Sequence, residues 1–150
     1  MAEPVSPTAP SEHFTFPMLS LARHWRWWMD RRLKPQGVTQ GTWVVLAYLA
    51  RGGNGMAQKD LAKFIGIEGP TLVGHLDRLE KQGLVERRAD DKDRRSRTIH
   101  LTPAAQPLWS KISRIATKVR IELLEGVSEE DLAVCLRVFE RIMANGEARL

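Results

Sequence analysis

The sequence predicts a mainly α-helical fold with one small β-hairpin, and three observations carry that expectation. Apolar residues recur at helical spacing along most of the chain. Two of the helical stretches, Ala57 to Gly66 and Glu68 to Gly83, are joined by a link so short that the helices must cross at an angle. Directly after them, LVERR and TIHLT alternate in the strand period on either side of nine residues, ADDKDRRSR, that are too charged to bury.

At 150 residues the chain is long enough for one core and too short for two ordinary domains. Apolar residues make up 43% and charged residues 27%, so the chain is expected to fold rather than stay disordered. One cysteine, Cys135, leaves no internal disulfide framework and no multi-cysteine metal site, which suits a reducing compartment. The start, MAEPVSPTAPSEHF, has neither the basic nor the apolar region of a secretion signal, and no run of 18 apolar residues occurs. A cytoplasmic protein with no membrane partner is expected.

Residues 1–16, rich in Pro, Ser and Ala at their start, are expected to form a flexible arm, and residues 17–150 a single domain. Pro17 suits a first helical turn, and Leu21, Ala22, Trp25, Trp28, Met29 and Leu33 keep helical spacing until Pro35 and Gly37 end the first helix, about 18–34. Thr39 is the expected cap of a second helix, closed by Arg51, Gly52 and Gly53. The third runs from about Ala57 to Ile65 and lacks a Ser, Thr or Asp cap. The fourth begins at Pro70 and ends before Gly83, with Leu72, Val73, Leu76 and Leu79 inward and Thr71, Gly74, His75, Arg78 and Gln82 outward.

In the hairpin, Val85, Ile99 and Leu101 are the expected inward residues. Thr102 then caps a fifth helix opened by Pro103, and Ser128 with Asp131 resembles the capping box of a sixth. Cys135 falls on the apolar stripe of that last helix, where a buried, inert thiol is expected. The helices at about 18–34 and 103–146 carry more apolar surface than a small domain can cover. They are expected to bury it in a homodimer or, as the alternative, against their own domain.

Basic charge is concentrated where it can be used. The formal net charge is +5, and the stretch Arg87 to Arg97 holds six Lys or Arg against three Asp or Glu, while the last forty residues are balanced at seven and seven. This distribution favours a nucleic-acid partner over an acidic protein. Two crossed helices followed by a basic hairpin make a winged helix-turn-helix over about 39–102, whose second helix enters the major groove. It would present Thr71, His75 and Arg78 to the bases or phosphates. The other reading of Arg78 is solvated charge paired with Asp77 or Glu80. The wing would bring Arg88, Asp93, Arg94, Arg95 and Arg97 to the minor groove, where narrow tracts attract arginine, and an acid beside an arginine can hold its guanidinium in one orientation.

The segments HWRWWMDRRLKPQGVTQGTWVVL, LAKFIGIEGPTLVGHLDRLEKQGLVER, DDKDRRSRTIHLT and ELLEGVSEEDL resemble the MarR family of transcriptional regulators, most closely its SlyA branch. The wing pattern D-x-x-D-R-R, here Asp90, Asp93, Arg94 and Arg95, is the most specific part. The resemblance implies a dimer joined through the first, fifth and sixth helices on a near-palindromic operator of double-stranded DNA. It also implies that Arg95 is the wing-tip residue of the minor groove, with Asp93 as its orienting acid. It further implies an effector, a small aromatic or phenolic anion such as an aromatic carboxylate, in a crevice lined at Arg23 and Trp43. Two departures stand out: Gly74 where the branch usually carries a basic residue, and Gly69 where it carries a polar amide. Gly74 costs the helix ~1 kcal/mol of propensity and removes a side chain that can face DNA or the crevice. Trp25 joins Arg23, Trp43 and Gly74 as a candidate ligand contact, since flat rings stack on aromatic effectors.

The functional expectation is therefore a repressor released by such a ligand. The alternatives are an activator that displaces an architectural silencing protein, and a winged-helix module used only for protein contact. An enzyme is excluded by the sequence: no phosphate loop, nucleophile elbow or HExxH pair occurs, and the histidines at positions 13, 24, 75 and 100 lack ligand spacing. No cofactor is expected.

Overall fold

The computed structural model describes residues 9–91, 93 and 95–149. The chain divides into two compact units, Met1–Ala116 and Thr117–Leu150.

The first unit opens with a helical turn, α1 (Pro10–His13), and the long helix α2 (Thr15–Leu33). Helix thus starts earlier than the apolar spacing suggests, within the stretch expected to be a loose arm; residues 1–8 of that arm lie outside the described residues. Pro17 is the third residue of α2, where a missing N–H has no intrahelical acceptor to lose. A 3₁₀ turn, Lys34–Gln36, carries Pro35 and ends at Gly37. Thr39 then caps α3 (Gln40–Tyr48), its hydroxyl accepting the N–H of Thr42 at 3.4 Å. This helix runs out in one wide π turn, Leu49–Gly53, where Gly52 has φ 128, a backbone angle that side-chain-bearing residues rarely adopt.

The next residues form an edge that local sequence did not indicate. Ala57, expected as the first residue of a helix, makes an antiparallel bridge to Thr98. Gly55 N–H donates to the Ile99 carbonyl at 2.7 Å, Ile99 N–H to the Met56 carbonyl at 3.0 Å, and Leu101 N–H to the Asn54 side chain at 2.8 Å. Pairing with the hairpin satisfies this backbone, so α4 (Gln58–Ile65) begins one residue later and without a side-chain cap.

Helix α4 ends at Gly66, with φ 77, and α5 (Gly69–Lys81) follows after two residues, with Pro70 in its first turn. The strands β1 (Val85–Ala89) and β2 (Arg97–Leu101) pair antiparallel, Val85 opposite Leu101 and Ala89 opposite Arg97. Val85 and Ile99 are buried as expected, and Leu101 is half-buried.

Leu72, Leu76 and Leu79 of α5 are almost completely buried, as are Leu61 of α4 and Val45, Leu46 and Leu49 of α3 and its terminal turn. Helices α3, α4 and α5 pack on one another, and α5 also packs on β1. Val73, expected inward, is 37% exposed because the buried row follows 72, 76 and 79 and turns position 73 to the side.

Helix α6 (Ala105–Leu123) begins in the first unit and ends in the second. It opens two residues after Pro103, since Thr102 does not cap it with its side chain. Its hydroxyl donates to the Gly83 carbonyl, and its N–H donates to the Leu84 carbonyl at 3.1 Å. Thr102 thereby ties the end of the hairpin to the turn after α5.

In the second unit, α7 (Glu129–Glu147) starts at Ser128, whose hydroxyl accepts the Asp131 N–H at 3.1 Å and donates to the Asp131 carboxylate at 2.8 Å. Asp131 thus shapes the cap without reaching back to the backbone as the usual Glu or Gln does. No residue of α7 is buried. Val134, Leu136, Phe139, Ile142 and Met143 are all exposed, Leu136 to 60% and Met143 to 62%. Cys135, expected to be buried, is exposed with them, because its helix leaves its apolar residues uncovered in the single chain.

Leu76→Ala removes a side chain buried from every direction, and its cost is expected to be ~2–5 kcal/mol. A lower urea midpoint with an unchanged slope checks it.

Candidate nucleic-acid interface

Three elements of the first unit meet at one surface: the start of α4, the outer side of α5 and the hairpin. Burial of Leu72, Leu76 and Leu79 leaves Thr71 and Arg78 exposed on α5, with Gly74 between them half-exposed. The Arg78 Nε donates to the Gly74 carbonyl at 3.2 Å, one turn back along its own helix. It does not pair with Asp77 or Glu80 among the described contacts, because both acids are engaged by another residue.

That residue is Arg87 of β1, which sequence reasoning did not single out. Its Nη1 lies 2.6 Å from Glu80 and its Nη2 2.7 Å from Asp77, while its Nε donates to Gln58 of α4 at 3.3 Å. Its backbone N–H also donates to Glu80, at 3.2 Å. Burial alone would lower its pKa, but hydrogen bonds and charge from Asp77 and Glu80 outweigh that and hold the guanidinium above its ordinary value. A detectable signal existed in the sequence: two acids three residues apart on the reading helix, facing the first arginine of the next strand.

His75 takes a different position from the one its spacing suggested. A Cβ added at Gly41 would collide with the His75 ring, so the imidazole rests against the backbone of α3. Burial foremost, and then the charge of Arg78, hold its pKa below the ordinary 6.5. Helical periodicity assigned it to the outer side; the absence of a side chain at Gly41, far away along the sequence, opened the space it occupies.

In the wing, Arg88, Asp93, Arg95 and Arg97 are exposed; Arg94 lies outside the described residues. Arg88 pairs with Glu86 on its own strand. Asp93 was expected to hold the Arg95 guanidinium. Its carboxylate instead accepts the backbone N–H of Arg95 at 2.9 Å, and its carbonyl accepts Ser96 N–H at 2.8 Å. An acid two residues ahead of an N–H favours this local turn, so Asp93 sets the backbone from which Arg95 projects.

Two basic-lined hollows adjoin the wing and reading helix. One, of about 340 Å³, is lined by Gln58, Lys59, Asp93, Arg95, Ser96 and Arg97 and brings the start of α4 beside the wing tip. The other, of about 460 Å³, lies between α4 and the start of α5, with Lys59, Lys63 and Gly69 in its lining. Lys59 and Lys63, one turn apart and exposed, extend the basic surface beyond the residues that the sequence pattern nominated.

The candidate ligand residues are not gathered at one place. Arg23 lines a hollow of about 440 Å³ along α2 with Leu19, Ala22, Arg26, Trp27, Asp30 and Gln40. Trp25, Trp43 and Gly74 are not in that lining. Trp43 donates its indole N–H to Asp30 at 2.7 Å, joining α3 to α2. A Cβ at Gly74 would meet nothing within 4 Å.

A helix packed on two others, the shorter of them crossing its start, and a basic antiparallel hairpin beside both define a winged helix-turn-helix DNA-binding protein. The model of the MarR family matches residues 36–96, which contain α3, α4, α5 and the first strand of the hairpin. Over 90% of this chain and 98% of the other, the structure resembles that of the transcriptional regulator PA3341 at 44% identity, with a TM-score of 0.83. The chain belongs to the MarR family of DNA-binding transcriptional regulators, which are not enzymes. The fold also matches CouR from Rhodococcus jostii RHA1 bound to p-coumaroyl-CoA, at 23% identity and a TM-score of 0.76 over 90% of this chain and 94% of that one. NadR in complex with 4-hydroxyphenylacetate matches at 22% identity and 0.76 over 95% of each chain. No helix among the described residues is long and apolar enough to cross a membrane.

Gly41→Ala is expected to push the His75 ring toward solvent and raise its titration midpoint toward 6.5, observable by NMR of the imidazole. In the parent chain the depressed pKa means that the unfolded state binds the proton first. The stability contributed by neutral His75 is therefore present above about pH 6.5 and lost as pH falls through the lower folded value. Denaturant melts between pH 7.5 and 5 check the sign.

Proposed function

We propose that this MarR-family chain is a sequence-specific repressor that binds a near-palindromic operator as a homodimer and leaves it when a small aromatic or phenolic anion binds. The observation that carries the DNA reading is the shared exposure of Thr71 and Arg78 on α5 and of Arg88, Arg95 and Arg97 on the wing, while the leucines beneath are buried. Arg78 can donate two bonds to guanine, and Thr71 can meet a thymine methyl or a phosphate. Arg95, with Arg94 and Arg97 beside it in sequence, supplies the minor-groove contact. His75 supports the helix from behind, and Lys59 and Lys63 add phosphate contacts that strengthen binding without reading sequence.

The uncovered apolar residues of α7 support pairing with a second copy, since an apolar strip of that kind is stable in water only when covered. Assignment to the SlyA branch rests on the wing residues Asp90, Asp93, Arg94 and Arg95. The effector class rests on the family and on the phenolic ligands held by CouR and NadR. In this chain Arg23, with Arg26 and Trp27 in the same hollow, offers a cation beside an aromatic ring. Trp25, Trp43 and Gly74 complete the candidate set. Release requires that the ligand bind the form with unsuitable reader spacing more tightly than the DNA-bound form.

Gel shifts with the protein's own upstream DNA, repeated across aromatic carboxylates and their thioesters, test the whole reading. Binding that shows no salt dependence or sequence preference would sink it. Arg95→Ala is expected to weaken operator binding by roughly tenfold to a hundredfold with dimer and Tm nearly unchanged. Gly74→Arg fits open space and is expected to change either site preference or ligand response; indifference in both assays removes residue 74 from both surfaces.

A further inference from the structure

We propose that Arg87 is a positioning residue of the DNA-binding surface: it sets the angle of the wing on α5, and thereby where Arg95 reaches, without touching DNA itself. The proposal rests on the wing reading given above. Arg87 is on the hairpin, yet all of its side-chain acceptors belong to the two helices, Asp77 and Glu80 on α5 and Gln58 on α4. Its side chain is 18% exposed, far less than the 59% of Arg88 next to it. Toward the tip the side chains turn to solvent: Arg88, Ala89, Asp91, Asp93, Arg95 and Arg97 are exposed.

A two-stranded ribbon has little stiffness of its own, so its direction is set where it is last held. Val85 and Ile99 hold its root by burial, and on the β2 side the Ala57–Thr98 bridge and the backbone bonds of Ile99 and Leu101 to residues 54–56 hold it as well. Arg87 supplies the directional hold on the β1 side, because a planar guanidinium that serves three acceptors on two helices has one orientation. The contact also offsets part of the negative charge of Asp77 and Glu80, two acids on α5 that would repel phosphate. Lysine keeps the charge but lacks the fork, which separates the two effects.

The test uses the full chain and a duplex recovered by selection from random sequence. Hydroxyl-radical protection reports the minor groove and guanine methylation protection the major groove, for the parent chain, Arg87→Lys, Arg87→Ala, Asp77→Asn and, as reference, Arg95→Ala. Arg87→Lys and Asp77→Asn are expected to keep major-groove protection and a near-parental Tm. Their minor-groove protection should fade as it does in Arg95→Ala, with affinity down about tenfold. Minor-groove protection unchanged in both Arg87 variants, or lost in step with the major groove, overturns the inference and leaves the wing reading standing. A minor groove left unprotected by the parent chain overturns the wing reading and this inference with it.

Discussion

Burial of one row of leucines on α5 is the constraint from which the remaining surface follows. Leu72, Leu76 and Leu79 are withdrawn from water against α3, α4 and β1, each contributing on the order of 1.5–3 kcal/mol of transfer free energy. A helix fastened along one side cannot rotate, so Thr71 and Arg78 are held outward by the same packing that stabilises the domain. The outward side needs no separate stabilising device. It is what remains of α5 when the core is complete.

Charge is arranged around that helix so that acids are used internally and the outermost cations are not consumed by them. Arg87 takes Asp77 and Glu80, and Asp93 turns its carboxylate to the backbone of Arg95. Arg78 therefore keeps its position beside its own helix carbonyl, and Arg95 and Arg97 project from a turn whose backbone is already ordered. A modest net charge of +5 thus leaves Arg95 and Arg97 as exposed cations, because the neighbouring acids are engaged by Arg87 and by backbone.

Periodicity located every major helix, both strands and the apolar rows, and the caps at Thr39 and Ser128 were legible because a cap is a contact between residues three apart. The misreadings share one cause. Ala57 pairs with Thr98, Thr102 reaches back to Gly83, and His75 leans on Gly41; each depends on a partner distant in sequence. Asp93 differs, since its partner is local, but its carboxylate had two local choices, a side chain and an N–H, and composition does not rank them. Cys135 and the apolar residues of α7 were assigned to a buried stripe by a pattern that records hydrophobicity and not which chain provides the cover.

The sequence by itself determined the class of protein: helical and strand periods, short links and a basic hairpin depend on neighbours a few residues apart, and those suffice to specify a winged helix-turn-helix. Only the tertiary structure decided which side chains are spent inside it. Arg87, indistinguishable in composition from Arg88, becomes the brace between hairpin and helices because β1 starts beside Asp77, Glu80 and Gln58, whereas Arg88 points the other way along the alternating strand. That division is physical: a residue's face is set by local geometry, but its partner is set by what the fold brings opposite.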